Sequence, residues 1–204
     1  MLPYVWLLGG WVLFGALHSA FAAVPVKRWV SAHVGRAFRY YRIVYNVLAV
    51  VLLLGLIVFQ FGYAPVAYLV TPSVPLKALG ALAVVMGLWV MCVAIGGYNR
   101  REFAGLDTLE TGVSHLAPSE LKLDGLARYV RHPLYFGTLL FTWGIFLCQP
   151  TAANLLSDAF LTAYVWVGSR FEERKLLREF GEAYRQYRRR VPALLPRLRS
   201  TPTP

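Results

Sequence analysis

Apolar residues run almost unbroken from about residue 3 to 24, again from about 41 to 61, and again from about 74 to 97. Each run is long enough for a helix to cross the hydrocarbon of a bilayer, which takes roughly 20 residues. Two further runs, about 133–148 and 152–169, flank Gln149-Pro150-Thr151. The first of these is short for a span, so the pair reads as a helical hairpin that dips across the membrane and returns. From Phe171 to Val191 the pattern changes. Leu176, Leu177, Phe180, Tyr184, Tyr187 and Val191 recur at three- and four-residue spacing and predict an amphipathic helix whose other face is cationic. The expected fold is all-α: an integral membrane helical bundle of about five transmembrane helices, the last two a hairpin, followed by a C-terminal amphipathic helix. It divides into an N-terminal three-helix membrane region, 1–97, and a second region, 98–204.

Charge orients these helices. Residues 25–42 hold Lys27, Arg28, Arg36, Arg39 and Arg42 and no acid, whereas 62–73 carry no charge. Arg170 begins a dense basic tail. The positive-inside rule then puts the N-terminus outside and the C-terminus in the cytoplasm of an inner or plasma membrane. Ala20-Phe21-Ala22 superficially fits a signal-peptidase site, yet Lys27 and Arg28 follow the apolar run and no cation precedes it, so the segment reads as a retained helix. The formal charge of +11 would suit a nucleic-acid binder, but 57% hydrophobic residues and a mean hydropathy of +0.51 exclude an ordinary soluble domain. Membrane lipid is the expected partner, and nucleic acid is not. Cys92 and Cys148 lie in or beside apolar runs, and the four histidines lack ligand spacing, so no disulfide framework or metal site is indicated. Oligomeric state is open.

The candidate chemistry gathers in Leu126–Gly137. Arg128 and Arg131 bring charge, His132 a ring that donates and accepts hydrogen bonds near neutral pH, and Pro133 suits the first turn of a helix. Gly137 would leave room for something bulky against the backbone. A juxtamembrane anchor, arginines on phosphates and tyrosines at the interface, is the competing reading. Glu172 and Glu173 sit at the mouth of the last apolar run, where acids are costly unless partnered. Glu173 heads the apolar stripe and needs Arg131, His132 or a ligand cation beside it. His18 near the inner end of the first run, and Tyr45 and Asn46 near that of the second, either bond a neighbouring helix or line a site. The polar stretch 98–125 reads as a cytoplasmic loop approaching the site.

Arg131-His132-Pro133-x-Tyr135-x-Gly137 resembles the cofactor motif of the isoprenylcysteine carboxyl methyltransferase and phospholipid methyltransferase group of membrane enzymes. Glu172-Glu173-x-x-Leu176-x-x-x-Phe180-Gly181-x-x-Tyr184-x-x-Tyr187-x-x-x-Val191-Pro192 resembles the second block of that group, and the likeness covers roughly 95–196. It implies a methyltransferase using S-adenosyl-L-methionine. The cofactor-binding positions it implies are Leu123, Gly125, Tyr129, Arg131, His132, Tyr135, Gly137, Glu172 and Glu173, which makes 98–204 the cofactor-binding region. Arg131, His132 and His18 are its catalytic candidates. The acceptor is expected to be small and apolar or lipid-like: a thiol, a carboxylate or a headgroup. A carboxylate needs no base, whereas a thiol must lose a proton, for which His18 or His132 could serve. Leu17-His18-Ser19 and Tyr41-Arg42-x-x-Tyr45-Asn46 look more like the small bacterial relatives, of methanethiol methyltransferase-like or NnrU type, than the eukaryotic prenylcysteine enzymes. A membrane reductase of related fold using NADPH, and a binding protein without turnover, are the alternatives.

Overall fold

A computed structural model describes residues 1–97, 121 and 123–196. Most of the polar loop expected at 98–125 lies outside the described residues. The fold is all-α and of membrane type: the described residues form helices joined by short turns, with one isolated bridge between Tyr68 and Thr151. They fall into two compact units, Met1–Val66, and Ala67–Gly97 with the described residues from 121 onward.

The first unit pairs α1 (Leu2–Ala22) with α3 (Tyr41–Gly62). Four contacts fix their antiparallel register. The Tyr4 hydroxyl donates to the Pro65 carbonyl at 3.3 Å, the place of a Gly10 Cβ is taken by Leu56, the Tyr45 hydroxyl lies 3.0 Å from the His18 ring, and the Tyr41 hydroxyl donates to the Phe21 carbonyl at 2.8 Å. Between them α2 (Val24–Val34) and a 3-10 turn (Gly35–Tyr40) occupy the stretch read as a loop. Pro25 suits the first turn of α2, Val26, Trp29, Val30 and His33 recur at helical spacing, and Gly35 at φ 52 ends it.

In the second unit α4 (Val74–Gly96), read from the sequence with the N-terminal spans, packs along α5 (Pro133–Cys148). Glycine explains the packing. A Cβ on Gly80 would lie 2.7 Å from the Gly144 carbonyl oxygen, and one on Gly87 would lie 2.8 Å from the Gly137 carbonyl oxygen. The two helices therefore touch backbone to backbone, as small residues permit in a membrane. α6 (Ala152–Arg190) returns from the turn at Gln149-Pro150-Thr151, where Thr151 caps the Asn154 amide. It continues straight through Arg170, so the amphipathic tail starts no new helix at Phe171. The break comes at Gly181, whose φ of 53 and ψ of −122 turn the chain before a last helical stretch ending at Arg190.

Among the described residues, three stretches are long and apolar enough to cross a membrane: Leu2–Ala22, the apolar part of Val24–Gly62, and Val74–Gly96. α5 is apolar but only 16 residues long, about 24 Å at 1.5 Å per residue. Large apolar side chains face outward along the long helices, among them Trp6, Leu54 and Val85, as lipid exposure requires and water would not reward. Polar groups are instead turned inward in the hairpin, where Asn154, Ser157 and Asp158 are each under 5% exposed and the Trp143 indole donates to Thr162 at 3.1 Å.

Candidate functional site

The site is built where α5 begins. His132 holds the N-cap position, and Pro133 forces it out of the helical region to φ −119, ψ 70. That backbone turns the His132 ring toward α6, where it sits between two carboxylates: Nδ1 is 3.5 Å from Glu172 Oε2 and Nε2 is 3.3 Å from Glu173 Oε1. A neutral imidazole has one N–H, so facing a carboxylate with each nitrogen favours the doubly protonated ring. Burial alone would lower the His132 pKa, but the hydrogen bonds and charges of Glu172 and Glu173 outweigh it and hold it above the usual value. Burial would likewise raise both glutamates, and their basic partners hold them below the usual carboxylate range.

The two acids differ in what surrounds them. Glu173 is 5% exposed and closed in. Arg131 Nε and Nη2 reach its Oε1 at 2.9 and 2.5 Å, His132 faces the same oxygen, and Arg188 stands 3.8 Å from Oε2. Glu172 has a side chain 43% exposed, bonded by His132 and the Tyr135 hydroxyl. The Tyr135 ring stacks on His132, with centroids 5.3 Å apart and planes 22° from parallel. One buried carboxylate thus locks the frame, and the adjacent one, bonded by His132 and Tyr135, keeps solvent access.

Arg131 is not available to a ligand. Its Nη1 donates to the carbonyls of Arg188 and Val191, both at 2.8 Å. The chain after the kink is further tied back by Arg131 N–H to the Pro192 carbonyl (2.9 Å), His132 N–H to the Ala193 carbonyl (3.1 Å) and the Tyr187 hydroxyl to the Ala127 carbonyl (2.7 Å). Arg131 is therefore a clamp on the tail. His132, facing a carboxylate with each ring nitrogen, is engaged on both sides. Gly137 faces α4 closely. A Cβ there would lie 2.9 Å from Met91, 3.0 Å from Val90 and 3.1 Å from the Gly87 carbonyl, so its small size serves α4.

The remaining positions are placed as follows. Leu123 is half-buried, Gly125 opens the 3-10 turn Gly125–Arg128 at φ 59, and Tyr129 is 37% exposed; all three lie on the chain leading into His132. His18 belongs to the first unit, where it bonds Tyr45 and stacks on Phe14. Tyr184 escaped the sequence reading as a site residue. It is 1% exposed, and its hydroxyl feels the charges of Glu173 and Arg131. Its signal was present as one member of the tail's apolar stripe, which marks burial without marking chemistry.

A family model described as NnrU protein matches residues 6–199. The chain is 32% identical over 192 residues to methanethiol S-methyltransferase 2 of Bradyrhizobium diazoefficiens, a match covering 91% of this chain and 70% of that protein. It is 33% identical over 187 residues to methanethiol S-methyltransferase of Mycobacterium tuberculosis, covering 90% and 74%. Protein-S-isoprenylcysteine O-methyltransferase of Schizosaccharomyces pombe is 33% identical over 93 residues, covering 41% and 38%. No solved structure matches.

Proposed function

The chain belongs to the NnrU protein family, and we propose that it is a membrane-embedded methyltransferase that uses S-adenosyl-L-methionine and methylates a small apolar acceptor, a thiol first among them. The observation that carries this reading is the contrast between the two glutamates: Glu173 is enclosed by Arg131 and His132, while Glu172, bonded by His132 and Tyr135, keeps a side chain 43% exposed where a ligand can reach it. The names of the relatives support methyl transfer and favour the thiol over a carboxylate or headgroup.

The residues fit the cofactor's chemistry. Glu172 offers carboxylate oxygen to ribose hydroxyls or an ammonium, a charge-assisted bond. The Tyr135 ring supplies a flat wall, and aromatic faces attract cations. His132 orients Glu172 from one side while fixing Glu173 on the other. When bound, the cofactor supplies a methyl group on a sulfonium for in-line displacement, so alignment is most of the catalysis. A thiol acceptor also sheds its proton, a step that needs a base. Basic loops on the cytoplasmic side complete the proposal, with the N-terminus outside.

Calorimetry on detergent-purified protein tests it. S-adenosylhomocysteine is expected to bind and NADPH not to bind, and labelled methyl is expected to pass from the cofactor to methanethiol. Binding of NADPH alone would replace the methyltransferase with a reductase, and binding of neither would leave a membrane protein without this chemistry.

A further inference from the structure

Tyr184 lies just beyond the Gly181 kink, on the stretch that Arg131 ties back over the start of α5. It is among the largest fully enclosed side chains of the protein, with its ring 5.9 Å from that of Tyr187. Its hydroxyl is buried and, among the described residues, has no hydrogen-bond partner. Arg131, Glu173 and Tyr187, whose charges act on it, have partners of their own. Arg131 holds Glu173 and two carbonyls, His132 faces both glutamates, and the Tyr187 hydroxyl donates to Ala127. A buried polar group without a partner calls for an explanation, because folding gains nothing from enclosing it that way. A phenylalanine would fill the same volume without that cost.

We propose that the Tyr184 hydroxyl is a binding contact for the methyl donor, giving its hydrogen to an acceptor oxygen of that ligand, the carboxylate or a ribose hydroxyl. The inference rests on the methyltransferase reading above. Burial, and then the charge of Glu173, push the phenol's pKa up, so the group keeps its proton and acts as a donor. The kink supplies the placement. Gly181, at φ 53, kinks the helix just before Tyr184, and the hydroxyl lies within the electrostatic reach of Glu173 and Arg131.

Tyr184→Phe removes one oxygen atom and nothing else. On purified full-length protein, the apo melting temperature of this variant is expected to equal or exceed that of the wild type, since an orphaned group is gone. Its affinity for S-adenosylhomocysteine is expected to fall about tenfold or more, the loss of one good hydrogen bond. Repeating both titrations with 5′-methylthioadenosine, which lacks the amino-acid portion, identifies the oxygen. A loss that vanishes with this probe assigns the carboxylate, and one that persists assigns the ribose. Unchanged affinity for S-adenosylhomocysteine overturns the inference while leaving the methyltransferase reading intact. A variant that melts well below the wild type, or fails to fold, also overturns it, because the hydroxyl would then have a structural partner. If the wild type itself does not bind S-adenosylhomocysteine, the underlying reading falls and takes this inference with it.

Discussion

Arg131 closes on a single oxygen of Glu173, with both side chains almost out of solvent at 10% and 7% exposure. The relationship decides what kind of residue each one is. Removing one partner of a buried ion pair strands the other charge, at a cost of roughly 3–5 kcal/mol. Arg131 also carries two carbonyls of the tail, so it has more to lose than its carboxylate.

Arg131→Met and Glu173→Gln are therefore expected to lower the melting temperature by several degrees, with Arg131→Met the more severe. The surviving folded fraction of Glu173→Gln should bind S-adenosylhomocysteine near the wild-type affinity. Melting and titration on one preparation check this, and a large affinity loss at unchanged melting temperature would return Glu173 to the ligand.

Glu172→Gln should behave in the opposite way. Its carboxylate is half-exposed and holds no tail carbonyl, so stability changes little. Affinity for S-adenosylhomocysteine should fall about tenfold to a hundredfold, the equivalent of a charge-assisted bond of roughly 1.5–3 kcal/mol. Calorimetry on the two single variants side by side separates the frame from the ligand contact.

The glycine seam predicts a sharp positional contrast. Alanine at Gly87 or Gly144 would put a methyl group within 2.6–2.8 Å of backbone atoms on the opposite helix. Overpacking of that kind costs roughly 1–3 kcal/mol. Gly96 and Gly168, where an added methyl would meet nothing within 4 Å, are the controls; alanine there should leave stability level or slightly improved, by helix propensity. Equal melting temperatures for all four variants would mean the helices do not pack this closely.

The His132 cluster sets a pH window. Its imidazole is raised above the usual 6.5, so its stabilising contribution is full below that value and is lost as pH rises through the raised one. Glu172 and Glu173 are lowered from the usual 4.5, so theirs is full above that value and is lost as pH falls through the depressed ones. The cluster is thus most stabilising between 4.5 and 6.5. His132→Gln should flatten the alkaline decline of the melting temperature relative to the wild type and also make the acid decline shallower, since His132 helps hold both glutamates down, while Arg131 keeps part of it through Glu173.

Much of the fold was legible because helix ends carry local signals. Pro133 and the Gln149-Pro150 turn bound α5 where the apolar run said they would, and α3 and α4 end within a residue of expectation. α2 was missed because eleven residues with two cations look like a loop when only long apolar runs are sought. The grouping of the site around His132 was legible from two motifs, but the duties within it were not. The close approach of Met91, Val90 and Gly87 to Gly137 joins positions some fifty residues apart, which no local pattern shows. Arg131 reads as a ligand's partner because backbone carbonyls, which take up one whole nitrogen of its guanidinium, have no letter in the sequence.

The fold-back at Gly181 also dictates when the site can come into being. The carbonyls that satisfy Arg131 belong to residues made up to 60 positions later in the chain, and those that satisfy the amides of Arg131 and His132 are later still. On the ribosome, the motif helix is therefore synthesised and ready for insertion while its guanidinium and amides still wait for acceptors. The cluster around Arg131 is completed only by the last stretch of tail to emerge, so a chain terminated before Arg188 would leave that guanidinium without its two backbone acceptors.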